Sequence, residues 1–354
     1  MTYDLDRRTL LRGGLFATGL FAAAPLLAAC GDDEEPADDA TAAAGAIGAG
    51  SLRFSWVKNV EFAGAYIADT NGYYKEEGFT SFELIGGGPT ATPAETDVVT
   101  GKALIGISAP DTAAAAILKG APIKIIGAEF QKNPFCILSM ADNPIKTAAD
   151  LKGKKIGVQA TNEAIWAAFL KANNIDPSEV EKVPVQFDPM PLTTGTVDGW
   201  MSFITNEPNA LRMKGFKVET MMFADNNYPL VSEVYVVKTE TIEKRRATLK
   251  AFIRAQAKGW KENLKDPSLG AKLAVEKYGK DLGLDLEEQI LESKDENTLI
   301  LNDDTKKNGL FTITPELIEQ NIATLKFAGL EITAEQLFDM SIVEEVYKED
   351  PSLV

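Results

Sequence analysis

From Ser51 to Lys238 the sequence alternates short apolar runs with stretches of helical spacing, and this alternation limits the available folds more than any single motif does. The run "SLRFSWV" alternates as a strand does, and "EFAGAYIADTNGYYKEEGF" spaces Phe62, Ala65, Tyr66 and Tyr73 as along a helix ending near Gly72 or Gly78. Then "SFELIGG" (strand), "ATPAETDVVTGK" (helix), "ALIGIS" (strand), "APDTAAAAILKG" (helix) and "APIKIIGAEF" (strand) follow in regular order. Such a βαβα series predicts a mainly parallel sheet covered on both faces. A second series runs from Lys146 through "KKIGVQA", "TNEAIWAAFLKANNI", "KVPVQF", "GTVDGWMSFI", "NEPNALRMKG" and "KVETMMF"; "VSEVYVVK" then carries the chain back, and helical patterns dominate beyond Thr241. About 300 folded residues exceed one ordinary core. The expectation is two α/β lobes, residues 51–142 and 143–236, with residues 237–354 returning to the first lobe and ending in helices; the hinge is expected near residues 140–143 and 235–238.

Composition excludes several chemistries. The 354 residues contain no histidine, which removes Ser-His-Asp and Cys-His nucleophile systems, imidazole acid/base chemistry and histidine metal sites together. Only two cysteines occur, Cys30 and Cys136. A net charge of −16 argues against nucleic acid as a partner, because that partner needs cationic neutralisation. No cofactor, metal or catalytic residue is expected, and binding without chemistry is favoured.

The N-terminal stretch "DRRTLLRGGLFATGLFAAAPLLAACGDDEE" sets two arginines before an apolar run too short and too rich in Ala and Gly for a confident membrane span. Its Arg7-Arg8 resembles a twin-arginine export signal, and Leu27-Ala28-Ala29-Cys30 resembles a lipoprotein lipobox, which implies a signal peptide over residues 1–29 and lipidation at Cys30. The acidic, then Ala/Gly-rich segment that follows reads as a disordered tether over residues 30–50. Together these features place the folded part on the extracytoplasmic face of a membrane. With Cys30 lipidated, Cys136 has no partner and reads as a buried small hydrophobe.

Four motifs, "GKALIGIS" with "ILKGAPIKIIG", then "DLKGKKIGV" and "GTVDGW", resemble in their order and spacing the substrate-binding proteins of bacterial ABC importers. The branch is that of the nitrate, sulfonate and taurine binders and the thiamine-pyrimidine-precursor binders, and the resemblance spans nearly all of residues 51–345. It implies the type II periplasmic-binding-protein fold, hinged lobes closing on a small-molecule ligand, and ABC permease and ATPase subunits as partners of a monomeric receptor.

Ligands in open α/β sheets bind beyond the carboxyl ends of the strands. Applied here, that rule selects the turns holding Trp56, Asn59, Phe62, Ser108, Asp111, Thr161, Asn162, Glu163, Trp166, Asp188, Asn206 and Glu207. Arginine is missing from those turns, and only Lys58 opposes four acids, so an oxyanion is disfavoured. A ligand that donates hydrogen bonds, such as an aminopyrimidine, or a cation fits better, with aromatic side chains stacking on it. Structural duties compete for the same residues: Asp111, Asn162 and Asp188 stand where helix caps are wanted, Glu163 suits a first helical turn, and Trp166 suits lobe packing. Trp200, in a strand, reads as core.

The leading expectation is a lipid-anchored receptor for a thiamine-pyrimidine precursor. A riboflavin-type flavin is the alternative, because "NVEFAGAYIA" and "TNEP" also resemble riboflavin binders; nitrate, sulfonate or taurine follows. Thiamine-pyrimidine synthase-like enzymes share the fold, but the resemblance implies a histidine and a cysteine-rich iron motif in them, and this chain has neither. A surface scaffold with a vestigial cleft is the remaining reading.

Overall fold

The computed structural model describes residues 46–354; the expected signal peptide, Cys30 and most of the expected tether lie outside the described residues. The fold begins earlier than Ser51, since Gly48–Arg53 already forms β1 and the Ile47 amide donates to the Gly78 carbonyl at 2.8 Å.

Two five-stranded sheets organise the chain. The first combines β1, β2 (Phe79–Ile85), β3 (Ile105–Ser108) and β4 (Ile123–Phe130) with the late strand β10 (Ser232–Lys238), in the order β2-β1-β3-β10-β4. Strand β1 is parallel to β2 and β3, while β10 is antiparallel to both of its neighbours. The second sheet contains β5 (Phe135–Met140), β6 (Lys155–Gln159), β7 (Glu181–Val185), β8 (Gly199–Phe203) and β9 (Val218–Met222), in the order β7-β6-β8-β5-β9.

This topology moves the hinge. Strand β5 pairs antiparallel with β8 and β9, Phe135 opposite Phe203 and Cys136 opposite Met222, so it belongs to the second lobe. The crossings therefore fall at residues 131–134 and 223–231, not at 140–143 and 235–238. Residues 140–143 follow a strand wholly inside the second sheet, and residues 235–238 lie within β10 of the first. An ion pair at 2.7 Å between Lys132 and Asp225 ties the two crossings together.

Side-chain alternation along the strands covers both faces of each sheet. In β5, Ile137 joins the large inter-lobe core and Leu138 the small one around Trp200, which is buried as expected. In the first lobe the helix Ala63–Thr70 lies against the long helix Arg246–Lys265 with no side chain between them at one point. A Cβ on Gly259 would stand 2.0 Å from the Gly64 carbonyl oxygen, and one on Gly64 would meet the Trp260 ring at 2.3 Å. The helix Leu286–Ile300 packs against the turn Val60–Phe62 and strand β4 of the first lobe and against the helix Glu207–Met213 of the second. It crosses the interface through a hydrogen bond at 2.7 Å from the Asn209 amide to Asp295. No described helix is long and apolar enough to cross a membrane.

Candidate functional site

Between the lobes lies a cavity of about 320 Å³, lined from the first lobe by Ser55, Trp56, Glu61 and Glu233 and from the second by Asn162, Phe187, Met201, Phe203, Asn206 and Glu207, with Glu288 from the bridging helix. It sits at the carboxyl ends of β1, β7 and β8, where an open α/β sheet leaves room for a ligand. Trp56 and Phe187 meet edge to face across it with ring centroids 5.3 Å apart. Among the described residues neither lysine nor arginine lines the cavity. Lys58 lays its stem over Gly86 instead.

The walls are acidic, and burial governs the acids. Glu61 and Glu233 are 5 % and 4 % exposed and lie close enough for each carboxyl to act on the other. Desolvation holds the Glu61 carboxyl well above the usual range, and the neighbouring Glu233, Glu296 and Glu292 push it the same way. Desolvation raises Glu233 to about 7 against the opposing pull of Ser55 and Glu61. The Ser55 hydroxyl donates to Glu233 Oε2 at 2.7 Å. Glu207 is likewise raised to about 7 by desolvation, although its carboxylate accepts the Phe203 amide at 3.0 Å. Behind them Glu292 is raised to about 8 by burial. Glu296 is fully buried, with neither carboxyl oxygen hydrogen-bonded. Among the described residues no group of three or more His, Cys, Asp or Glu side chains is arranged to hold a metal ion.

Of the twelve residues expected from sequence, the cavity gathers Trp56, Asn162, Asn206 and Glu207. Asn59 turns inward and donates to Glu292 at 2.8 Å, and Phe62 stacks on Phe54 in the core with centroids 4.0 Å apart. Ser108 bonds to Glu95, and Asp111 accepts from the Thr112 amide at 2.8 Å and from Tyr228 at 3.3 Å. Thr161 is exposed, Glu163 pairs with Lys182 at 2.6 Å, and Asp188 accepts from the Met190 amide at 3.1 Å. Trp166 is buried in the inter-lobe core. These eight therefore stand in capping, pairing, packing or surface positions and do not line the cavity.

The residues that sequence reasoning missed are mainly Glu61, Glu233, Glu288 and Phe187. Glu61 lies between two candidates that were named, and Phe187 lies beside Asp188, so both carried a local signal. Glu233 carried none under a strand-end rule, because β10 is antiparallel and presents its amino end where its neighbours present their carboxyl ends. Its φ of 47° is also uncommon for a residue with a side chain. Glu288 comes from a helix far along the chain.

The profile of the NMT1/THI5-like family matches residues 59–269. Among curated proteins, the chain is 24 % identical over 245 residues to the riboflavin-binding protein RibY of Chloroflexus aurantiacus, covering 64 % of this chain and 65 % of that one. It is 23 % identical over 221 residues to the formylaminopyrimidine-binding protein of Halalkalibacterium halodurans, covering 61 % and 66 %. The chain thus spans a little under two thirds of the length of these relatives. Among solved structures, the periplasmic aliphatic sulphonate binding protein SsuA of Escherichia coli shares the fold with a TM-score of 0.63 at 16 % identity, over 82 % of this chain and 92 % of that one. The chain belongs to the NMT1/THI5-like family and has the two-lobed fold seen in periplasmic binding proteins.

Proposed function

We propose that this protein is the extracytoplasmic capture component of an ABC importer. It is a lipoprotein anchored through Cys30 that works as a monomer, takes a small nitrogen heterocycle into the inter-lobe cleft and passes it to permease and ATPase subunits. The observation that carries the ligand class is the lining of the cleft: Glu61, Glu207, Glu233 and Glu288 offer acceptors, Trp56, Phe187 and Phe203 offer ring faces, and no described cationic side chain lines it. An oxyanion in that setting would meet carboxyl groups with no donor of opposite charge. An aminopyrimidine of the thiamine-precursor type meets acceptors at its amino group and flat surfaces on its ring.

A flavin is the second reading. A cavity of about 320 Å³ is more than one small ring needs, and one relative is named for riboflavin. Calorimetry against aminopyrimidines, riboflavin, nitrate and alkanesulfonates tests both. A heterocycle is expected to bind with a Kd on the order of micromolar, about −8 kcal/mol. Tight binding of the anions alone contradicts the proposal.

A further inference from the structure

The cavity floor holds two acids side by side with no base to balance them. Glu61, on the turn Val60–Phe62, and Glu233, at the start of β10, are both more than nine-tenths buried, line the cavity and lie close enough for each carboxyl to act on the other. Two buried carboxyl groups that close do not both ionise without cost, so one of them keeps its proton. The Ser55 hydroxyl donates to Glu233, which favours the charged form of Glu233 and leaves Glu61 as the acid that keeps its proton. Every other titratable group facing the pair is an acid or a phenol. They are Glu288, Glu292 and Glu296 on the helix Leu286–Ile300, Glu129 on β4, Glu207 on the helix Glu207–Met213, and Tyr66 on the helix Ala63–Thr70. Glu296, fully buried with both oxygens unpartnered, makes an added negative charge beside it costly.

In such surroundings a charge on Glu233 is disfavoured below about pH 7 unless a counter-charge enters the cavity, and the ligand is the one group that supplies it. We propose that Glu61 and Glu233 act as a proton-exchanging pair that selects a flat monocation bearing N–H donors, such as an amidinium or a ring-protonated aminopyrimidine, and releases the Glu233 proton to solvent as that cation docks. The balance closes. A neutral pair plus a cation becomes protonated Glu61, the Glu233 carboxylate and the bound cation, with one proton passed to buffer, so the net charge of the cavity stays the same. Two N–H donors of an amidinium face one carboxylate in a bidentate arrangement, while Trp56 and Phe187 cover the ring. The inference rests on the heterocycle reading and narrows it toward the aminopyrimidine, since a neutral flavin supplies no counter-charge.

Benzamidinium tests it, because this flat cation keeps its charge from pH 6 to 8.5 and any proton exchanged comes from the protein; benzamide is its neutral counterpart. Titration calorimetry in pairs of buffers with different ionisation enthalpies counts the protons. With Glu233 raised to about 7, benzamidinium affinity is expected to rise about tenfold from pH 6 to pH 8, with nearly one proton released per cation at pH 6 and almost none at pH 8.5. Benzamide should show neither effect. Glu233→Gln should abolish both the pH dependence and the proton release. Ser55→Ala, which removes one donor to the carboxylate and leaves the pair in place, should move the midpoint of the profile to higher pH. Affinity that is flat with pH, zero proton release at pH 6, or no benzamidinium binding at any pH overturns the proposal. If aminopyrimidines and flavins fail to bind while benzamidinium binds with proton release, the heterocycle reading fails and the pair stands. If a heterocycle binds without either signature, the reverse holds.

Discussion

Replacing Glu129 with glutamine should change how stability depends on pH in a way the structure makes quantitative. Glu129 is 1 % exposed on β4; its Oε1 accepts the Tyr235 hydroxyl at 2.5 Å and the Trp260 indole N–H at 3.1 Å, while its Oε2 has no partner. Burial raises the group from 4.5 to about 8, against the pull of those two donors. The folded state therefore holds this proton more tightly than the unfolded chain does. The stabilisation is complete below pH 4.5 and is lost as pH climbs toward 8, because the unfolded chain ionises freely and the folded one cannot. Between pH 5 and pH 8 the loss from this one group is about 3–4 kcal/mol. Glutamine keeps the acceptor for Tyr235 and Trp260 and cannot ionise; its amide is left unpartnered at a cost of about 1–3 kcal/mol that does not vary with pH. Urea unfolding of both proteins at pH 5, 6.5 and 8 should show the wild type losing more stability than Glu129→Gln as pH rises, by nearly that 3–4 kcal/mol. Midpoints that shift in parallel across the range would refute the argument.

Three further outcomes follow from the packing and the cleft. Gly259→Ala forces apart the helices Ala63–Thr70 and Arg246–Lys265, and a cost of about 2 kcal/mol should lower the thermal midpoint by roughly 3 °C, where an unchanged midpoint contradicts the close approach. Cys136 is fully buried and its thiol is pushed up by desolvation. Peptide mapping after a short thiol-labelling pulse should find it unmodified in native protein and modified in urea, whereas native labelling at the rate of a free thiol contradicts its burial. Trp56→Ala should weaken binding of the heterocycle by about tenfold to a hundredfold, roughly 1.4–2.8 kcal/mol, and unchanged affinity would place the ligand elsewhere.

The lobes were legible in the sequence because parallel βα units write themselves as alternating apolar runs and helical spacings. The hinge was not. Strand β5, "FCILSM", reads the same in either sheet, and only its antiparallel pairing with β8 and β9 assigns it to the second lobe. The strand-end rule brought Trp56, Asn162, Asn206 and Glu207 to the cleft and overlooked Glu233, whose strand runs the other way. Asn59 and Phe62 were named for their turn, yet what turns Asn59 inward is Glu292, 233 residues further on, and no local pattern encodes that partner. Trp166, expected either at the ligand or in lobe packing, is buried in the inter-lobe core, where its apolar neighbours come from both lobes.

The central claim, that the cleft takes a hydrogen-bond-donating or cationic heterocycle and not an oxyanion, is tested most directly by crystallising the protein with the molecule it retains on purification. The account predicts a flat nitrogen ring covered by Trp56 and Phe187, with N–H groups within hydrogen-bond distance of Glu233. An oxyanion held there by lysine or arginine side chains, or by backbone amides alone, would contradict it.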